Sequence, residues 1–256
     1  MTRLSIVTIT FHDVEGLKST RDSLPDTGFE WIVVDGSRDP AVQAKNRDLL
    51  NGRNVTLIQE PDNGIYDAMN KGLGLVTGEI ICFLNSGDRF ASFEIPALVL
   101  GTYQVLRWRW AVGKTIVVEP NRSLPLPVPN HNSLTLRLCI RTYCHQATFV
   151  ETAMLRSIGG FSEDSLSSDW LASLQLSRIA KPYYFDFLTT LYLAGGLSAQ
   201  QSLDFWYRES KRLRQAHGLA IGGFAWTDTA VQWFAWRVRL LKIALHLAQV
   251  LRAKSS

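Results

Sequence analysis

Two aspartates stand where short apolar runs end, and they are the first sign of chemistry in this sequence. Asp35 closes the run 31–34, and Asp88 follows the run 80–84 across a three-residue turn. Carboxylates accept hydrogen bonds from hydroxyl and N–H groups of polar ligands. If both runs are neighbouring strands of a parallel sheet, the two side chains project into one crevice at the carboxyl edge, where such sheets bind ligands.

The densest polar motif is EPDNGIYDAMNKG, over residues 60–72. It has the pattern of a turn that leads into a helix, and the free N–H groups of a helix N-terminus bind anions. Asp-Asn-Gly is also favoured in any turn, so composition alone favours an ordinary capped loop. The residues themselves leave both interpretations open.

Two other groups of residues give little evidence for a functional site. Cys139, Cys144, His131 and His145 show neither a Cys-x-x-Cys pair nor repeated spacing, so we expect no zinc site. Arginine and tryptophan alternate over residues 107–110, which favours a strand with one aromatic face over a nucleic-acid site. We therefore expect no nucleic-acid partner.

Alternating strand and helix signals in the first hundred residues predict an α/β fold, a mostly parallel sheet with helices on both faces. The predicted strands are 4–10, 31–34, 55–59 and 80–84, and the predicted helices are 14–24, 41–50 and 65–76. Beyond residue 100 we predict strands over 105–118 and 145–150, a proline-rich loop over 120–132, and helices over 151–158, 168–179 and 201–217.

The chain of 256 residues is 46% hydrophobic and 20% charged, an ordinary globular composition with room for one large domain or two small ones. Three cysteines are too few for a disulfide framework. The N-terminus has no signal-peptide pattern, and no apolar run approaches the ~18 residues of a membrane span. We therefore expect a cytoplasmic protein.

Charge is unevenly distributed along the chain. Residues 1–100 hold 9 Lys and Arg against 14 Asp and Glu, whereas residues 201–256 hold 9 against 3, together with four of the eight tryptophans. On a helical wheel of residues 231–252, one face is apolar, formed by Trp233, Trp236, Leu240, Ala244, Leu247 and Leu251. Such a helix is typical both of peripheral contact with the inner face of the cell membrane and of packing on a domain. Both interpretations stay open.

Six blocks occur in an order that resembles the family 2 glycosyltransferases, in particular the colanic acid biosynthesis glycosyltransferases of bacterial exopolysaccharide loci. The blocks are TITF (8–11), WIVVDG (31–36), residues 60–72, FLNSGD (83–88), HQA (145–147) and SD (168–169). The resemblance implies a GT-A domain over residues 1–200. Its nucleotide-sugar-binding half is 1–100 and its acceptor-binding half is 101–200, and residues 201–256 follow as a basic, Trp-rich, amphipathic helical tail.

The resemblance assigns the donor contacts residue by residue. Those expected at the base and ribose are Thr8, Thr10, Phe11 and Asp35; those expected nearer the diphosphate are Tyr66, Asn70, Lys71 and Asn85. His145 is expected at the diphosphate or the acceptor, and a hydrogen-bonded structural role is its alternative. Asp88 corresponds to the metal-binding carboxylate of the family's Asp-x-Asp motif, in which Asn85 takes the other polar position. One carboxylate with phosphate oxygens and waters suits Mg²⁺ or Mn²⁺, although Ser-Gly-Asp is also a plain turn.

Asp169 corresponds to the family's catalytic base, although Ser168 stands where a glutamate is usual. Inverting transfer needs a group that takes the proton of the acceptor hydroxyl. The alternative is an aspartate that only caps a helix. Glu163 and Asp164 are second candidates for the base, in a loop after two glycines.

The implied reaction is inverting transfer of one hexosyl or deoxyhexosyl group from a nucleotide-sugar. The acceptor would be a glycan or a lipid-linked molecule of exopolysaccharide or cell-surface glycan biosynthesis. The Gln-x-x-Arg-Trp motif of processive synthases is missing, which favours single addition. Two alternatives remain, a sugar nucleotidyltransferase and a degenerate transferase that serves as a membrane-associated scaffold. The first expects a Gly-rich, basic loop after the first strand, where this chain has FHDVE.

Overall fold

One sheet organises the computed structural model, which describes residues 3–196 and 201–238. The strands of these residues are β1 (Leu4–Thr10), β2 (Glu30–Asp35), β3 (Val55–Gln59), β4 (Ile80–Phe83), β5 (Arg89–Phe90), β6 (Trp110–Glu119), β7 (Arg122–Leu126), β8 (Thr148–Glu151) and β9 (Tyr183–Leu193). Their order in the sheet is β3-β2-β1-β4-β8-β6-β9-β5, with β7 paired to β6.

Helices cover both faces of this sheet. They are α1 (Val14–Arg21), α2 (Pro40–Leu49), α3 (Ile65–Leu75), α4 (Ile95–Leu106), α5 (Leu134–Arg137), α6 (Thr152–Ser157), α7 (Ser168–Ile179) and α8 (Leu203–Ala216). Residues 225–238 are also helical, and we name this segment α9. Short 3-10 turns form at His145–Ala147 and Ile221–Gly223.

The parallel half consists of β3, β2, β1 and β4, as the four apolar runs predict. Alternate side chains of β2 enter two different cores. Ile32 and Val34 pack with Met69 of α3, whereas Trp31 and Val33 join the core on the opposite face of the sheet. Burial on both faces explains the continuous apolar runs of β1, β2 and β4, whereas β3 lies at the edge of the sheet and is only partly buried.

The second half continues the same sheet. β8 pairs antiparallel with both β4 and β6, and β9 pairs parallel with β6. β1, β4 and β9 therefore run in one direction, and their carboxyl ends meet at one edge. There the backbone N–H of Leu193, the last residue of β9, donates to Asp88 Oδ1 at 2.9 Å. The sheet thereby places Asp88 between its two halves.

Two predictions beyond residue 100 need correction. The predicted strand over 105–118 is wrong at its start, because α4 continues to Leu106 and β6 begins at Trp110. Arg107 ends α4 in the left-handed conformation, with φ 49°. The predicted loop over 120–132 contains β7, in which Pro125 lies opposite Ile116. β7 pairs with β6 alone, and such an outer strand tolerates proline.

The described part of the tail packs on the domain. Arg214 of α8 and Asp228 of α9 are fully buried and joined by two hydrogen bonds of 2.8 and 3.2 Å. Arg214 also donates to Gln232 Oε1 at 2.8 Å and to the carbonyl of Arg137 at 3.1 Å. Trp236 is buried whereas Trp233 is exposed, so these two members of the predicted apolar face separate.

The rest of that predicted face, from Leu240 to Leu251, lies outside the described residues. Among the helices of residues 3–196 and 201–238, none has the length and apolarity that crossing a membrane requires.

Candidate active site

A cleft of about 1160 Å³ opens at the shared carboxyl edge of β1, β4 and β9. Its polar lining includes Thr10, Asp13, Arg38, Asn85, Ser86, Asp88, His145, Gln146 and Asp169. Its apolar and aromatic lining includes Ile9, Phe11, Tyr66, Leu126, Ile140, Tyr143, Trp170, Leu193 and Trp206. The cleft therefore joins blocks that are far apart in the sequence, and its size suits a ligand as large as a dinucleotide.

Four side chains in the cleft form a hydrogen-bonded chain centred on Asp169. The Tyr66 hydroxyl donates to Asp169 Oδ1 at 2.8 Å, and His145 Nδ1 lies 3.2 Å from Asp169 Oδ2. On the other side of the imidazole, Asn85 Nδ2 lies 3.1 Å from His145 Nε2. His145 therefore bridges the two residues, with Nδ1 toward the Asp169 carboxylate and Nε2 toward the Asn85 side-chain amide.

These contacts keep Asp169 ionised. Burial of the carboxylate works to raise its pKa, but the hydrogen bonds from His145 and Tyr66 and the charge of the imidazole outweigh burial, so the pKa lies below its usual range. The side chain is still about one-quarter exposed toward the cleft. Asp169 can therefore accept a proton from a ligand at neutral pH.

The position of Tyr66 depends on a clip between α3 and the loop before α7. Asn70 on α3 donates to the carbonyl of Phe161 at 2.7 Å and accepts from its N–H at 2.9 Å. The Phe161 ring stacks on Tyr66 with centroids 5.7 Å apart. Gly160 has φ +72°, and an added Cβ would lie 2.7 Å from Asn70 Oδ1, so only glycine suits this place.

Asp88 is nearly buried at the bottom of the cleft. Gln146 Nε2 donates to its Oδ2 at 2.9 Å, and Leu193 N–H donates to its Oδ1. Burial raises the pKa of Asp88 to about 6, although these hydrogen bonds and the charge of His145 act in the opposite direction. The neighbours of Asp88 therefore supply too little positive charge to offset the effect of burial on its pKa.

The residues around Asp88 fit a weakly held divalent cation. Each Asp88 oxygen keeps a free lone pair, and the buried Asn85 Oδ1 has no hydrogen-bond partner among the described residues. Nowhere in residues 3–196 and 201–238 do three His, Cys, Asp or Glu side chains gather as a metal-binding group. One carboxylate and one amide oxygen suit Mg²⁺ or Mn²⁺ only when a ligand supplies phosphate oxygens.

Thr10 and Phe11 line the cleft, and the Phe11 ring is exposed there. Thr8 and Asp35 are instead fully buried beneath it. Thr8 Oγ1 accepts from Trp31 Nε1, and Asp35 accepts from the N–H of Ser37 and from two side-chain amides. Both residues lie beneath the cleft and support β1 and β2. Neither exposes an atom through which the predicted direct contact with a ligand could form.

Asn70 and Lys71 also lie outside the cleft lining. Asn70 is used in the clip with Phe161, and Lys71 Nζ contacts the Pro61 carbonyl at 2.7 Å, Glu60 at 3.2 Å and Asp67 at 3.3 Å. Lys71, which is predicted to contact the diphosphate, therefore points toward two carboxylates of the 60–72 motif instead. For Lys71 to reach the diphosphate, these contacts would have to break.

The second candidates for the base are placed apart from Asp169. Glu163 and Asp164 are exposed and do not line the cleft. Glu163 Oε1 lies 3.3 Å from Asn70 Nδ2, and the Asp164 carbonyl accepts from Arg212. Both therefore belong to the outer side of the loop before α7.

Several cleft residues, Arg38 and Trp206 among them, are not among the predicted site residues. Arg38 is the one Lys or Arg side chain that lines the cleft in the described parts of the chain. It stands three residues after β2, and that position is the one feature of the sequence that could have identified it as a site residue. Gln146 follows His145 in a quoted block, whereas Trp206 comes from α8, which the sequence places in a separate tail. Only the packing of α8 reveals its contribution.

Comparison with known proteins decides the family. Residues 5–100 match the family model described as glycosyl transferase family 2. This part of the chain therefore has the sequence of a family 2 glycosyltransferase. The glycosyltransferase is 28% identical over 193 residues to the uncharacterized glycosyltransferase Rv1514c of Mycobacterium tuberculosis, with 70% of each chain covered. It is 28% identical over 145 residues to a PGL/p-HBAD biosynthesis glycosyltransferase of Mycobacterium bovis, with 56% of each chain covered.

Solved structures share the fold of this glycosyltransferase. TarS 1-349 of S. aureus, in complex with UDP-GlcNAc, matches with a TM-score of 0.65 and 18% identity over 84% of this chain and 66% of that chain. The mannosyltransferase PcManGT of Pyrobaculum calidifontis, in complex with GDP-Man and Mn²⁺, matches with a TM-score of 0.60 and 16% identity over 96% and 80%. The predicted GT-A fold is confirmed.

Proposed function

We propose that this glycosyltransferase moves one sugar from a nucleotide-sugar to an acceptor hydroxyl in a single displacement that inverts the anomeric carbon. The observation that carries the proposal is the ionised Asp169 in the cleft, held by Tyr66 and His145. A single displacement requires one base and no protein nucleophile. Two donors that fix a base in one orientation suit that requirement.

In the proposed step, Asp169 takes the proton of the acceptor hydroxyl while the acceptor oxygen attacks the anomeric carbon. The bond from that carbon to the diphosphate breaks, and the nucleoside diphosphate leaves with the bonding electron pair. Tyr66 and His145 keep the Asp169 carboxylate in place as it becomes protonated. Asn85 in turn holds the His145 ring.

Charge on the leaving diphosphate would be balanced beyond the His145 ring, on the side of Asn85 and Asp88. Asp88 and Asn85 would hold a Mg²⁺ or Mn²⁺ ion, which supplies electrostatic stabilisation of the leaving group when bound. PcManGT carries Mn²⁺ in its solved complex. Arg38 adds a positive charge to the lining, and Phe11 offers an exposed ring near the β1 end, where a base can stack.

We propose a glycan or lipid-linked acceptor of bacterial exopolysaccharide or cell-surface glycan biosynthesis, and single addition of a hexosyl or deoxyhexosyl group. The enzyme would work in the cytoplasm, peripherally at the inner face of the cell membrane. The apolar part of the lining supports an acceptor with an apolar portion, since Leu126, Ile140, Leu193 and Trp206 all face the cleft.

The test compares Asp169→Asn with Asp164→Asn, a matched change outside the cleft. Sugar transfer is followed as nucleoside diphosphate release from UDP-GlcNAc or GDP-mannose in the presence of a bacterial membrane extract. Asp169→Asn should lower the rate by about 10²–10⁴-fold, since the amide cannot take a proton. Nucleoside diphosphate binding, measured by calorimetry, should stay near wild type. If Asp169→Asn keeps more than half of the rate, Asp169 is not the base.

A further inference from the structure

The tail carries a fixed helix with an unusual outer surface. α9 is anchored through its inner face, where the buried Asp228 and Gln232 contact Arg214 of α8 and Trp236 packs on the Tyr207 ring. The Gln232 side-chain amide also donates to the Tyr207 carbonyl. These contacts leave α9 no freedom to turn about its axis, so its outer face is set by the fold.

That outer face is aromatic. Trp226 is 72% exposed, Phe234 65% and Trp233 53%, and Phe224 precedes the helix with 62% exposure. Trp233 and Phe234 follow Trp226 by seven and eight positions, so the three side chains lie within about 100° of each other on one side of the helix. We call these four residues the aromatic surface. An exposed group of large aromatic side chains marks an interaction site rather than an ordinary protein surface.

The charge around the aromatic surface selects the partner. The Arg237 guanidinium lies over the Trp233 ring, 4.9 Å from its centroid. Within the described residues 201–238, each of the three acids pairs with an arginine, which leaves Lys211 and Arg237 as net positive charge. Tryptophan and phenylalanine beside arginine suit the boundary between headgroups and acyl chains, and the positive charge suits anionic lipids.

The two-helix unit also reaches the active site. Trp206 of α8 lines the cleft, and its neighbour Tyr207 packs on Trp236 of α9. α8 and α9 therefore contact the cleft on one side and carry the aromatic surface on another. We propose that the aromatic surface docks on an anionic lipid bilayer and holds the cleft near an acceptor anchored in that bilayer. The delivery of the acceptor rests on the proposed function, whereas the docking does not.

The experiment is cosedimentation of the full chain with vesicles of phosphatidylglycerol and phosphatidylcholine, compared with phosphatidylcholine alone. The triple variant Trp226→Ser, Trp233→Ser, Phe234→Ser should bind anionic vesicles at least ~10-fold more weakly, because its apolar anchors are lost. Phe93→Ser removes an exposed phenylalanine far along the chain and should bind like wild type. Arg237→Gln should weaken binding mainly at low salt.

Two outcomes would overturn the proposal. One is equal vesicle binding by the triple variant and the wild type. The other is a lipid-independent dimer in sedimentation velocity that the triple variant abolishes, with no vesicle binding by the wild type, because the aromatic surface would then cover a second copy. Calorimetric binding of UDP or GDP reports on the donor site separately. It should be unchanged in the triple variant, so failure of docking and failure of the glycosyltransferase function remain distinguishable.

Discussion

The Tyr66 hydroxyl donates to Asp169 Oδ1 at 2.8 Å, across 103 positions of sequence. Tyr66 belongs to a motif that the family resemblance assigns to the donor diphosphate, yet its hydroxyl holds the carboxylate proposed as the base. The phenol is nearly buried, and its second contact is the carbonyl of Leu166 at 3.2 Å, at the start of the segment that leads into α7. The α3 motif therefore positions Asp169, the residue that we propose as the base.

Tyr66→Phe should reduce the transfer rate by about tenfold, the worth of a hydrogen bond to a charged group. The same hydrogen bond lowers the pKa of Asp169, so its loss should raise that pKa and move the acid limb of the rate profile to higher pH. The measurement is the pH dependence of transfer. Tyr103→Phe removes a hydroxyl that contacts Glu151 instead, and it should leave the profile unchanged. An unshifted acid limb in Tyr66→Phe would contradict the coupling.

Asp88→Asn should remove the part of nucleoside diphosphate binding that depends on Mg²⁺ or Mn²⁺, because the amide carries no charge to hold the cation. In the wild type, protons compete with the metal once the pH falls below the Asp88 pKa of about 6. Metal-dependent binding should therefore weaken between about pH 7.5 and 5.5. Calorimetry with and without metal measures both effects. Asp186→Asn changes an exposed partner of Lys114 and serves as the control.

Asp35→Asn should destabilise the protein by about 1–3 kcal/mol, because the new amide group faces the donors of Asn46 or Gln59. Burial works to raise the pKa of Asp35, but hydrogen bonds from Ser37, Asn46 and Gln59 lower it below its usual value. Its contribution is therefore present above the unfolded-state pKa and is lost as the pH falls through the folded-state pKa.

Urea unfolding at neutral and acidic pH measures the Asp35 effect. The difference between wild type and Asp35→Asn should shrink on acidification. Asp26→Asn, on an exposed partner of Arg53, provides the comparison. If Asp35→Asn leaves the free energy of unfolding unchanged, the side-chain amides of Asn46 and Gln59 turn away from residue 35 without cost.

Arg214→Met should destabilise the chain by about 3–5 kcal/mol, because it leaves Asp228 buried without its partner. Arg214→Met combined with Asp228→Leu should recover much of that loss, since no charge then remains buried. Thermal unfolding of both variants is the measurement. If the double variant is as unstable as the single one, packing rather than charge holds α8 and α9 together.

The sequence predicts the parallel half well because β1, β2 and β4 are buried on both faces and therefore form apolar runs. α4 and β9 are not predicted, since Ile95–Leu106 is apolar all round and Tyr183–Leu193 lacks alternation. In both, tertiary contacts rather than local pattern decide the structure.

Among the predicted residues that line the cleft, Asp88 follows a strand by one turn and Asp169 lies in the first turn of a helix, so local sequence pattern can identify both positions. The ion pair between Lys71 and Asp67 is four positions apart on one helix, so that spacing alone could reveal that Lys71 is already engaged. Trp206 enters the cleft through the packing of α8, for which no short sequence signal exists. Long-range packing limits such predictions.

The shared sheet bears on how this kind of enzyme can evolve a new acceptor. β8 is inserted between β4 and β6, and β5 pairs only with β9, so Ile81 must face Val150 and Phe90 must face Thr190. If recombination near residue 100 replaced one half of the chain with that of another protein, the new half would have to form both of these pairings. Changes that preserve both registers are therefore easiest in connecting segments outside the strands, such as 139–144 and 195–196, which border the cleft.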